Sequence, residues 1–284
     1  MEPCYRCPCG FPVPSPSVRE PVSLQIRTWN IAHGRDVPPD RAYGHVHRKL
    51  LPEMASLMVD EQPDLILLQE VPVWAGKLLR EETGMGITLA PAYGAHIPFA
   101  HVPLPLAVGA WVGRAVPDLV RTQIEGQANA LLYGPELLLV SARRVQVNAR
   151  ERFRGEPRIA QLVRLRHRRT GREFAVANVH AGWDGNLTQL ERAGYVLEQF
   201  ARGAPMVLAG DLNARPRSPG MRTLVGRGWH EDSDDMTVDH VLVKGMALDW
   251  PATRWKPERR DVSLNGGPPL RLSDHDPVDA VVAF

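Results

Sequence analysis

The segment Ser273-Asp274-His275-Asp276-Pro277-Val278 places an imidazole between two carboxylates, and a proline follows the second carboxylate. This segment becomes informative in combination with three further polar clusters, each of which lies where an apolar run stops. These clusters are Asn30, Gln69-Glu70 and Gly210-Asp211-Leu212-Asn213. Because all of them lie at the ends of apolar, strand-like runs or in a Pro-terminated loop, we interpret them as parts of one site.

The residue types in these clusters favour metal-assisted chemistry on phosphate esters. A hard divalent cation prefers oxygen ligands and keeps several waters, so one or two protein carboxylates can hold it beside a substrate phosphate. Glu70, Asp211 and Asp274 can supply such carboxylates. The neighbouring amides and imidazole can donate hydrogen bonds to phosphoryl oxygens.

The composition is that of a globular protein with one large core. The chain has 284 residues, of which 44% are hydrophobic and 23% are charged, and its formal net charge is +2. Any strongly positive surface must therefore come from local clustering. No apolar stretch is long enough to cross a bilayer, and no secretory signal is apparent at the start. These features predict a cytoplasmic protein, and we expect a monomer.

All three cysteines, Cys4, Cys7 and Cys9, lie in the first ten residues. The rest of the fold must therefore stand without disulfides. Six prolines between residues 3 and 21 deny this segment helical and ladder hydrogen bonds. We therefore predict a disordered leader over residues 1–21 and a single domain over residues 22–284. A zinc site at the cysteines is the alternative, although no fourth ligand is apparent nearby.

Hydrophobic periodicity predicts more strands than helices. A strand from Leu24 ends at Asn30, and a helix is expected around residues 46–58, with Pro52 marking a kink or a late start. A second helix is expected after Asn186, with Asn186 as its cap and Gln189 completing a capping box. Residues 164–172 are interpreted as a hairpin turn and residues 91–114 as a loop or interrupted strand. Further strands are predicted at 65–68, 128–132, 137–141, 159–165, 174–179, 205–209, 238–243 and 278–284.

Short connections between these strands favour mixed or antiparallel sheets, and hence an α+β sandwich. Each polar cluster also has a plain structural alternative. Taken alone, Glu70 is better explained by a solvated strand end. Asp211 and Asn213 are equally suited to an ordinary turn, and His180 is suited to a core position. The run around His275 is more specific, because a third acid can orient one ring nitrogen while the other meets a phosphate; Asp239 is our candidate for that acid.

Seven segments together resemble the motifs of the endonuclease/exonuclease/phosphatase superfamily, in order, from about residue 22 to the end. The resemblance implies a four-layer α/β sandwich with two mixed, mostly antiparallel sheets, and a Mg²⁺ or Mn²⁺ site at the mouth between them. The segments are Thr28-Trp29-Asn30-Ile31, Leu68-Gln69-Glu70-Val71, Asn129-Ala130-Leu131-Leu132, Ala177-Asn178-Val179-His180, Leu208-Ala209-Gly210-Asp211-Leu212-Asn213, Val238-Asp239-His240-Val241 and Ser273-Asp274-His275-Asp276-Pro277-Val278.

By matching positions, the resemblance implies that Glu70 is the main metal ligand, that Asn30 lies beside it and that Asp274 completes or supports the site. It also implies that Asn129 helps to build the phosphate pocket. Arg158 stands where relatives often carry an arginine, which would add positive charge to that pocket.

The same resemblance implies the catalytic roles. Asp211 would orient or deprotonate the attacking water, and Asn213 would hydrogen-bond to phosphoryl oxygens. His275, paired with Asp239, would contact the scissile phosphate or transfer a proton, and His180 would donate to a nonbridging oxygen. Together these roles describe in-line hydrolysis of a phosphoester, in particular a phosphodiester.

The substrate stays open among small molecules, lipid headgroups and nucleic acids. Abasic-site nucleases of the superfamily carry an acidic or amide residue where this chain has Ala32, and the form Asn30-Ile31-Ala32-His33-Gly34 is instead similar to a bacterial group that includes lipid and small-molecule phosphodiesterases. Abasic DNA is therefore disfavoured.

Three alternatives remain. A nuclease would use an arginine-rich surface with Trp183 as a stacking face, and a lipid enzyme would dip apolar residues of segment 91–112 into an interface. A protein that binds without catalysis would lack the equivalents of Glu70, Asp211 and His275, which are all present. The arginines are Arg143, Arg144, Arg150, Arg152, Arg154 and Arg158, and the apolar residues are Phe99, Leu104, Leu106 and Trp111.

Overall fold

The computed structural model of the protein describes residues 21–37, 50–93, 96–97, 102–103, 105, 108, 126–148, 157–183, 186–233 and 237–284. The leader predicted over residues 1–21 lies outside the described residues apart from Pro21. The apolar residues proposed for lipid contact also lie outside them, as do Arg150, Arg152 and Arg154.

Within these ranges the chain forms seventeen strands and four α-helices. The strands are β1 (Ser23–Asn30), β2 (Asp36–Val37), β3 (Leu65–Pro72), β4 (Gly86–Tyr93), β5 (His96–Ile97), β6 (Val102–Pro103), β7 (Gln127–Tyr133), β8 (Leu137–Gln146), β9 (Ile159–His167), β10 (Glu173–His180), β11 (Met206–Asp211), β12 (His230–Glu231), β13 (Asp239–Lys244), β14 (Ala247–Arg254), β15 (Asp261–Ser263), β16 (Pro269–Leu272) and β17 (Val278–Ala283). The helices are α1 (Leu50–Met58), α2 (Gly76–Thr83), α3 (Asn186–Ala201) and α4 (Pro219–Gly226).

Two six-stranded sheets form the body of the protein. The first has the strand order β14-β17-β1-β3-β7-β4, and the second has the order β12-β13-β11-β10-β9-β8. The pairs β1–β3 and β10–β11 are parallel, whereas the remaining neighbours in both sheets are antiparallel. The predicted mixed, mostly antiparallel sheets are therefore confirmed. A three-stranded sheet, β15-β16-β2, and the pair β5–β6 are separate from them.

Apolar side chains divide the protein into four layers. In β3, Leu65 and Leu67 point into the core between the two sheets, while Ile66 and Leu68 point outward to the apolar faces of α1 and α2. Helices α3 and α4 cover the outer face of the second sheet in the same way. A short strand that is apolar on both faces is suited to this central position. The predicted α+β sandwich of helix, sheet, sheet and helix layers is confirmed.

A buried arginine in β1 closes the end of α1. Arg27 donates from Nη1 to the carbonyl oxygens of Leu57 (2.8 Å), Met58 (3.0 Å) and Asp60 (2.9 Å). The last carbonyls of a helix lack partners within the helix, so Arg27 caps them. Its Nε and Nη2 also donate to the carboxylate of Asp279 in β17, and the same side chain thus ties α1, β1 and β17 together.

The interface between the sheets contains a buried polar network near the ends of the strands. Asn178 in β10 donates from Nδ2 to Leu68 O (3.0 Å) and Ala130 O (2.9 Å) of the first sheet, and its Oδ1 accepts from Gln69 Nε2 (2.7 Å). Asn129 in β7 donates from Nδ2 to Asn178 O (3.0 Å). These bonds fix the position of one sheet relative to the other, because they are made by fully or almost fully buried groups.

Replacing Asn178 by Ala is expected to lower the free energy of unfolding by about 2 kcal/mol, because buried partners in both sheets lose their hydrogen bonds. Urea denaturation measures this loss. The Asn178→Leu variant keeps the side-chain volume but not the bonds, so its stability should also fall. A Leu variant as stable as the wild-type protein would show that the network contributes nothing.

Several predicted boundaries differ from the structure; for example, β3 continues beyond residue 68 to Pro72. The proposed turn over residues 164–172 is shorter, because β9 continues to His167 and β10 begins at Glu173. Arg164 and Arg166 lie in β9, where both bind the carboxylate of Glu173 across the ladder. Likewise, β8 does not stop at Ser141 but continues to Gln146.

Helix α3 begins at Asn186 itself, not after it. Gln189 Oε1 accepts a hydrogen bond from Gly182 N (2.8 Å). The side chain of Asn186 lies outside the described part of the structure, so the capping box stays a prediction. Pro52 is the third residue of the described part of α1, which begins at Leu50. Among the described helices, none combines the length and the apolar character needed to cross a bilayer.

Candidate active site

Strand register brings the predicted site residues to one edge of the sandwich. In the second sheet His180, the last residue of β10, is paired with Asp211, the last residue of β11. Asp211 is in turn paired with Asp239, the first residue of β13. In the first sheet the last residue of β1, Asn30, is paired with Gln69, which precedes Glu70. The two sheets meet here through their side chains.

Asp211 lies at the centre of these contacts. Its Oδ2 accepts a hydrogen bond from Asn30 Nδ2 across the two sheets (3.0 Å). The same oxygen lies 3.5 Å from His180 Nε2 and 3.8 Å from His275 Nε2. Its Oδ1 accepts from the backbone N–H of Asn213 (3.1 Å). A single buried carboxylate therefore contacts residues from four different motifs.

Glu70 faces the same centre from β3. Its Oε1 accepts from Asn30 Nδ2 (3.3 Å) and lies 3.8 Å from His180 Nε2, while its Oε2 lies 3.8 Å from His33 Nε2. The backbone of Glu70 has a φ of +53° at an irregularity between Leu68 and Val71 in the pairing of β3 with β7. This irregularity turns the Glu70 side chain toward the site.

His275 and Asp239 form the predicted pair. His275 Nδ1 and Asp239 Oδ2 are 2.8 Å apart. Burial by itself lowers the pKa of His275, but the carboxylates of Asp239, Asp211 and Asp274 outweigh it and raise the pKa to about 10. The loop is held to β1, because Trp29 Nε1 donates to His275 O (3.0 Å).

His180 has the opposite electrostatic state. Its pKa is lowered well below the usual value, first by burial and then by the positive charges of Arg158 and His275. A neutral ring can accept from Arg158, whose Nη1 lies 2.6 Å from Nε2. Gln127 Nε2 lies 3.0 Å from Nδ1. The site thus pairs a charged imidazole with a neutral one.

The remaining predicted residues are placed as follows. Asn213 donates from Nδ2 to Ala181 O (2.7 Å), and Asn129 belongs to the network between the sheets. Asp274 is exposed, and no hydrogen bond or ion pair joins its side chain to another described residue. Its charge nevertheless raises the pKa of His275. Of the three predicted metal ligands, Asp274 is therefore the one without a direct contact, among the described residues, to the group around Asp211.

The chemistry of the donor set fits a hard cation. Ligand atoms of Asp211, Asp239 and His275 all lie within 4.8 Å of one another. The pKa of Asp211 is raised to about 7, chiefly by burial and then by the negative charge of Asp239. Among the described residues, the buried Oδ1 of Asp239 has no hydrogen-bond partner. Crowded, under-partnered carboxylate oxygens are suitable ligands for Mg²⁺ or Mn²⁺.

A model of the Endonuclease/Exonuclease/phosphatase family matches residues 28–275 of the chain. The chain belongs to this family. The search of curated proteins found no match. Members of the endonuclease/exonuclease/phosphatase superfamily hydrolyse phosphoester bonds, and the present chain has their fold.

Solved structures of the endonuclease/exonuclease/phosphatase fold are similar over almost the whole chain. A family protein from Bacteroides thetaiotaomicron has 16% identity and a TM-score of 0.66, with 93% of this chain and 96% of that chain covered. A mannosyl-6-phosphatase from Bacteroides thetaiotaomicron VPI-5482 has the same identity and TM-score, with 92% and 100% covered. The human Nocturnin catalytic domain with bound sulfate has 16% identity and a TM-score of 0.61, with 93% and 97% covered.

Sequence reasoning missed several residues of this candidate site. Gln127 carried no signal, because it is a lone amide at the start of a strand. His33 and Ser273 lie within the quoted motifs, but no role was predicted for them. Ser273 donates from Oγ to Asn30 O (2.6 Å) and accepts from His275 N (3.1 Å). Its position two residues before the imidazole could have indicated this bridge.

Backbone strain also concentrates at the site. Five residues other than glycine adopt a left-handed φ within the site motifs, namely Ala32 (+46°), His33 (+58°), Glu70 (+53°), Asn213 (+46°) and Ser273 (+62°). Such conformations cost free energy and persist where the surrounding structure enforces them, most often at functional sites. Here they aim polar side chains from several loops at one centre.

Proposed function

We propose that the protein is a metal-dependent hydrolase that cleaves phosphoester bonds, phosphodiesters in particular, by in-line attack of an activated water. One observation carries this proposal above the others: the buried Asp211 carboxylate contacts Asn30, His180 and His275 from three other motifs. A binding protein without catalysis would have no need of this combination of a buried carboxylate, a charged imidazole and a neutral imidazole.

Glu70 and Asn30 would hold a Mg²⁺ or Mn²⁺ ion, with Asp274 in a supporting position at the edge of the loop. The carboxylates of Asp211 and Asp239 offer further ligand atoms, whereas the charged ring of His275 does not. When bound, such a cation supplies Lewis acidity that neutralises charge developing on the phosphoryl group. The clustered carboxylate oxygens and the raised pKa of Asp211 support this assignment.

The other catalytic roles would be distributed among four side chains. Asp211 would orient the attacking water and accept its proton, and Asn213 would donate to phosphoryl oxygens. His275, held in its charged form by Asp239, would donate to the scissile phosphate or transfer a proton to the leaving oxygen. His180 would donate to a nonbridging oxygen when substrate displaces its contact with Arg158.

Arg158 and Asn129 would complete the phosphate pocket. The guanidinium of Arg158 lies against the His180 ring, and a guanidinium is well matched to phosphate oxygens. Asn129 would act mainly through the strand edge that it anchors. The substrate class is a phosphate ester of a small molecule, a lipid headgroup or a nucleic acid, and we expect the protein to act as a monomer.

Hydrolysis of bis-p-nitrophenyl phosphate tests the proposal. With Mg²⁺ or Mn²⁺ we expect turnover, and with excess chelator we expect it to fall by about 100-fold or more and to recover when the cation is restored. In the Glu70→Gln variant the Mg²⁺ concentration for half-maximal rate should rise by about tenfold or more.

The matched control is Glu82→Gln, which removes an exposed carboxylate from α2 and should leave the Mg²⁺ dependence unchanged. Turnover that is insensitive to chelator would contradict the metal assignment, and absence of turnover on all esters tried would contradict the function. A panel of sugar phosphates, inositol phosphates, sphingomyelin, RNA and plasmid DNA then separates the substrate classes.

A further inference from the structure

A positively charged groove lies on the outer face of the second sheet, away from the residues of the candidate active site. It has a volume of about 610 Å³ and runs between the edge strand β8 and helix α3. Four arginines line it, and none of its lining residues is acidic. The arginines are Arg143, Arg164, Arg192 and Arg202.

One wall of the groove is a single face of α3 and of the turn that follows. Arg192, Tyr195 and Gln199 follow each other at spacings of three and four residues, which is the spacing of one helix face. Arg202 lines the groove from the turn directly after the helix. Ten residues of helix span about 15 Å. The wall therefore carries a cation at each end, with an aromatic ring and an amide between them.

The other wall is the edge of the sheet. Arg143 is in β8 and Arg164 in β9, and the register pairs Arg143 with Leu162 and Ser141 with Arg164, so the two arginines are close neighbours across the ladder. Arg164 binds Glu173 (2.6 Å), but its buried Nε has no hydrogen-bond partner among the described residues.

The other three arginines are not neutralised within the described part of the chain. Arg143, Arg192 and Arg202 are exposed and form no ion pair with another described residue. Glu198 of α3 could have balanced them, but its carboxylate is held by Arg227 and by Lys244 (2.9 Å). A concave array of like charges is complementary to a ligand that carries several negative charges.

We propose that this groove binds single-stranded nucleic acid. A charged channel that follows the phosphate backbone, combined with an exposed aromatic ring for base stacking, is the usual design for that ligand. Tyr195 is 54% exposed between the flanking arginines. An acidic peptide would not require the aromatic ring, and a flat lipid surface would not fit a concave groove. This binding does not depend on the proposed hydrolytic activity.

The test is fluorescence anisotropy with a labelled 15-nucleotide oligothymidine, in chelator, so that no hydrolysis occurs. For Arg143→Gln/Arg192→Gln, we expect about tenfold weaker binding at low salt. The slope of log affinity against log salt should also become shallower by about 1.4, since each phosphate contact on a single strand contributes about 0.7. The matched control is Lys77→Gln/Arg80→Gln, which removes two positive charges from α2 on the other sheet.

A second variant separates stacking from charge. Tyr195→Ala should weaken binding about tenfold without changing the salt slope. Equal affinity and slope in the groove variants and the control would overturn the proposal. It would also be overturned if the arginines were needed for binding to phosphatidylglycerol vesicles but not to the oligonucleotide. Circular dichroism confirms that each variant is folded.

Discussion

The Asp211→Asn protein is expected to hydrolyse phosphodiesters about 10³-fold more slowly than the wild-type protein. The amide is nearly isosteric, so the fold should be kept, but it cannot accept a proton from water and carries no charge toward His275 and His180. The measurement is kcat on bis-p-nitrophenyl phosphate at saturating Mg²⁺. Most of the effect should appear in kcat, because the lost interaction belongs to the transition state.

Stability gives an independent check on the same variant. Burial and the charge of Asp239 raise the pKa of Asp211 to about 7, so the ionised carboxylate is unfavourable in the protein without a cation. In chelator above that pH, Asp211→Asn should therefore be at least as stable as the wild-type protein. The control is Asp249→Asn, an exposed site on β14, which should change neither property. A rate for Asp211→Asn within a few-fold of wild type would remove Asp211 from the proposed role.

The largest expected loss of stability follows from replacing Gly210 by Ala. Gly210 has a φ of +137°, and a Cβ there would lie only 2.0 Å from the backbone oxygen of Val179. Neither atom can move without breaking the pairing of β10 with β11. We expect the free energy of unfolding to fall by at least about 3 kcal/mol, from the strained φ and the clash together. Urea denaturation measures this change.

Gly203→Ala is the matched control. Gly203 also has a positive φ, +85°, but a Cβ there would meet nothing within 4 Å. Gly203→Ala should lower the free energy of unfolding by about 1 kcal/mol, which is the effect of the left-handed conformation alone. If the two variants lost the same stability, the close contact at Gly210 would not be the cause. Because Gly210 precedes Asp211, Gly210→Ala should also reduce the rate of hydrolysis.

The sequence predicts the central strands and the position of the site because both leave local signals. Residues 65–68 are apolar on both faces, and Gln69-Glu70 follows them directly, as Gly210-Asp211-Leu212-Asn213 follows the apolar run before it. Strands that lack this apolar pattern cannot be predicted in the same way. Most side chains of β14 are exposed, and it contacts the sheet only at its edge, so its residues do not alternate in polarity. Likewise, β8 was predicted too short because its later residues are exposed at the other edge.

Contacts between distant residues could not be predicted in the same way. The network around Asn178 depends on the distance between two sheets, and the contact of Arg158 with His180 depends on how β9 and β10 are paired. The left-handed backbone at Glu70 depends on tertiary packing. A positive φ is uncommon for residues other than glycine, so the residue type gives no indication of it. The family motifs identify the candidate residues, whereas the distances between these residues can be read only from the folded structure.

The order of strands also constrains when each half of the sandwich can form during synthesis. The second sheet is built from β8 to β13, a continuous part of the chain, so its pairings are comparatively local. The first sheet is not, because β1 pairs with both β3 and β17, which are separated by some 200 residues. A ribosome must therefore translate past Ala283 before β1 gains its second neighbour. Until then one edge of β1 stays open to other chains, and a slow or interrupted synthesis would favour aggregation through that edge.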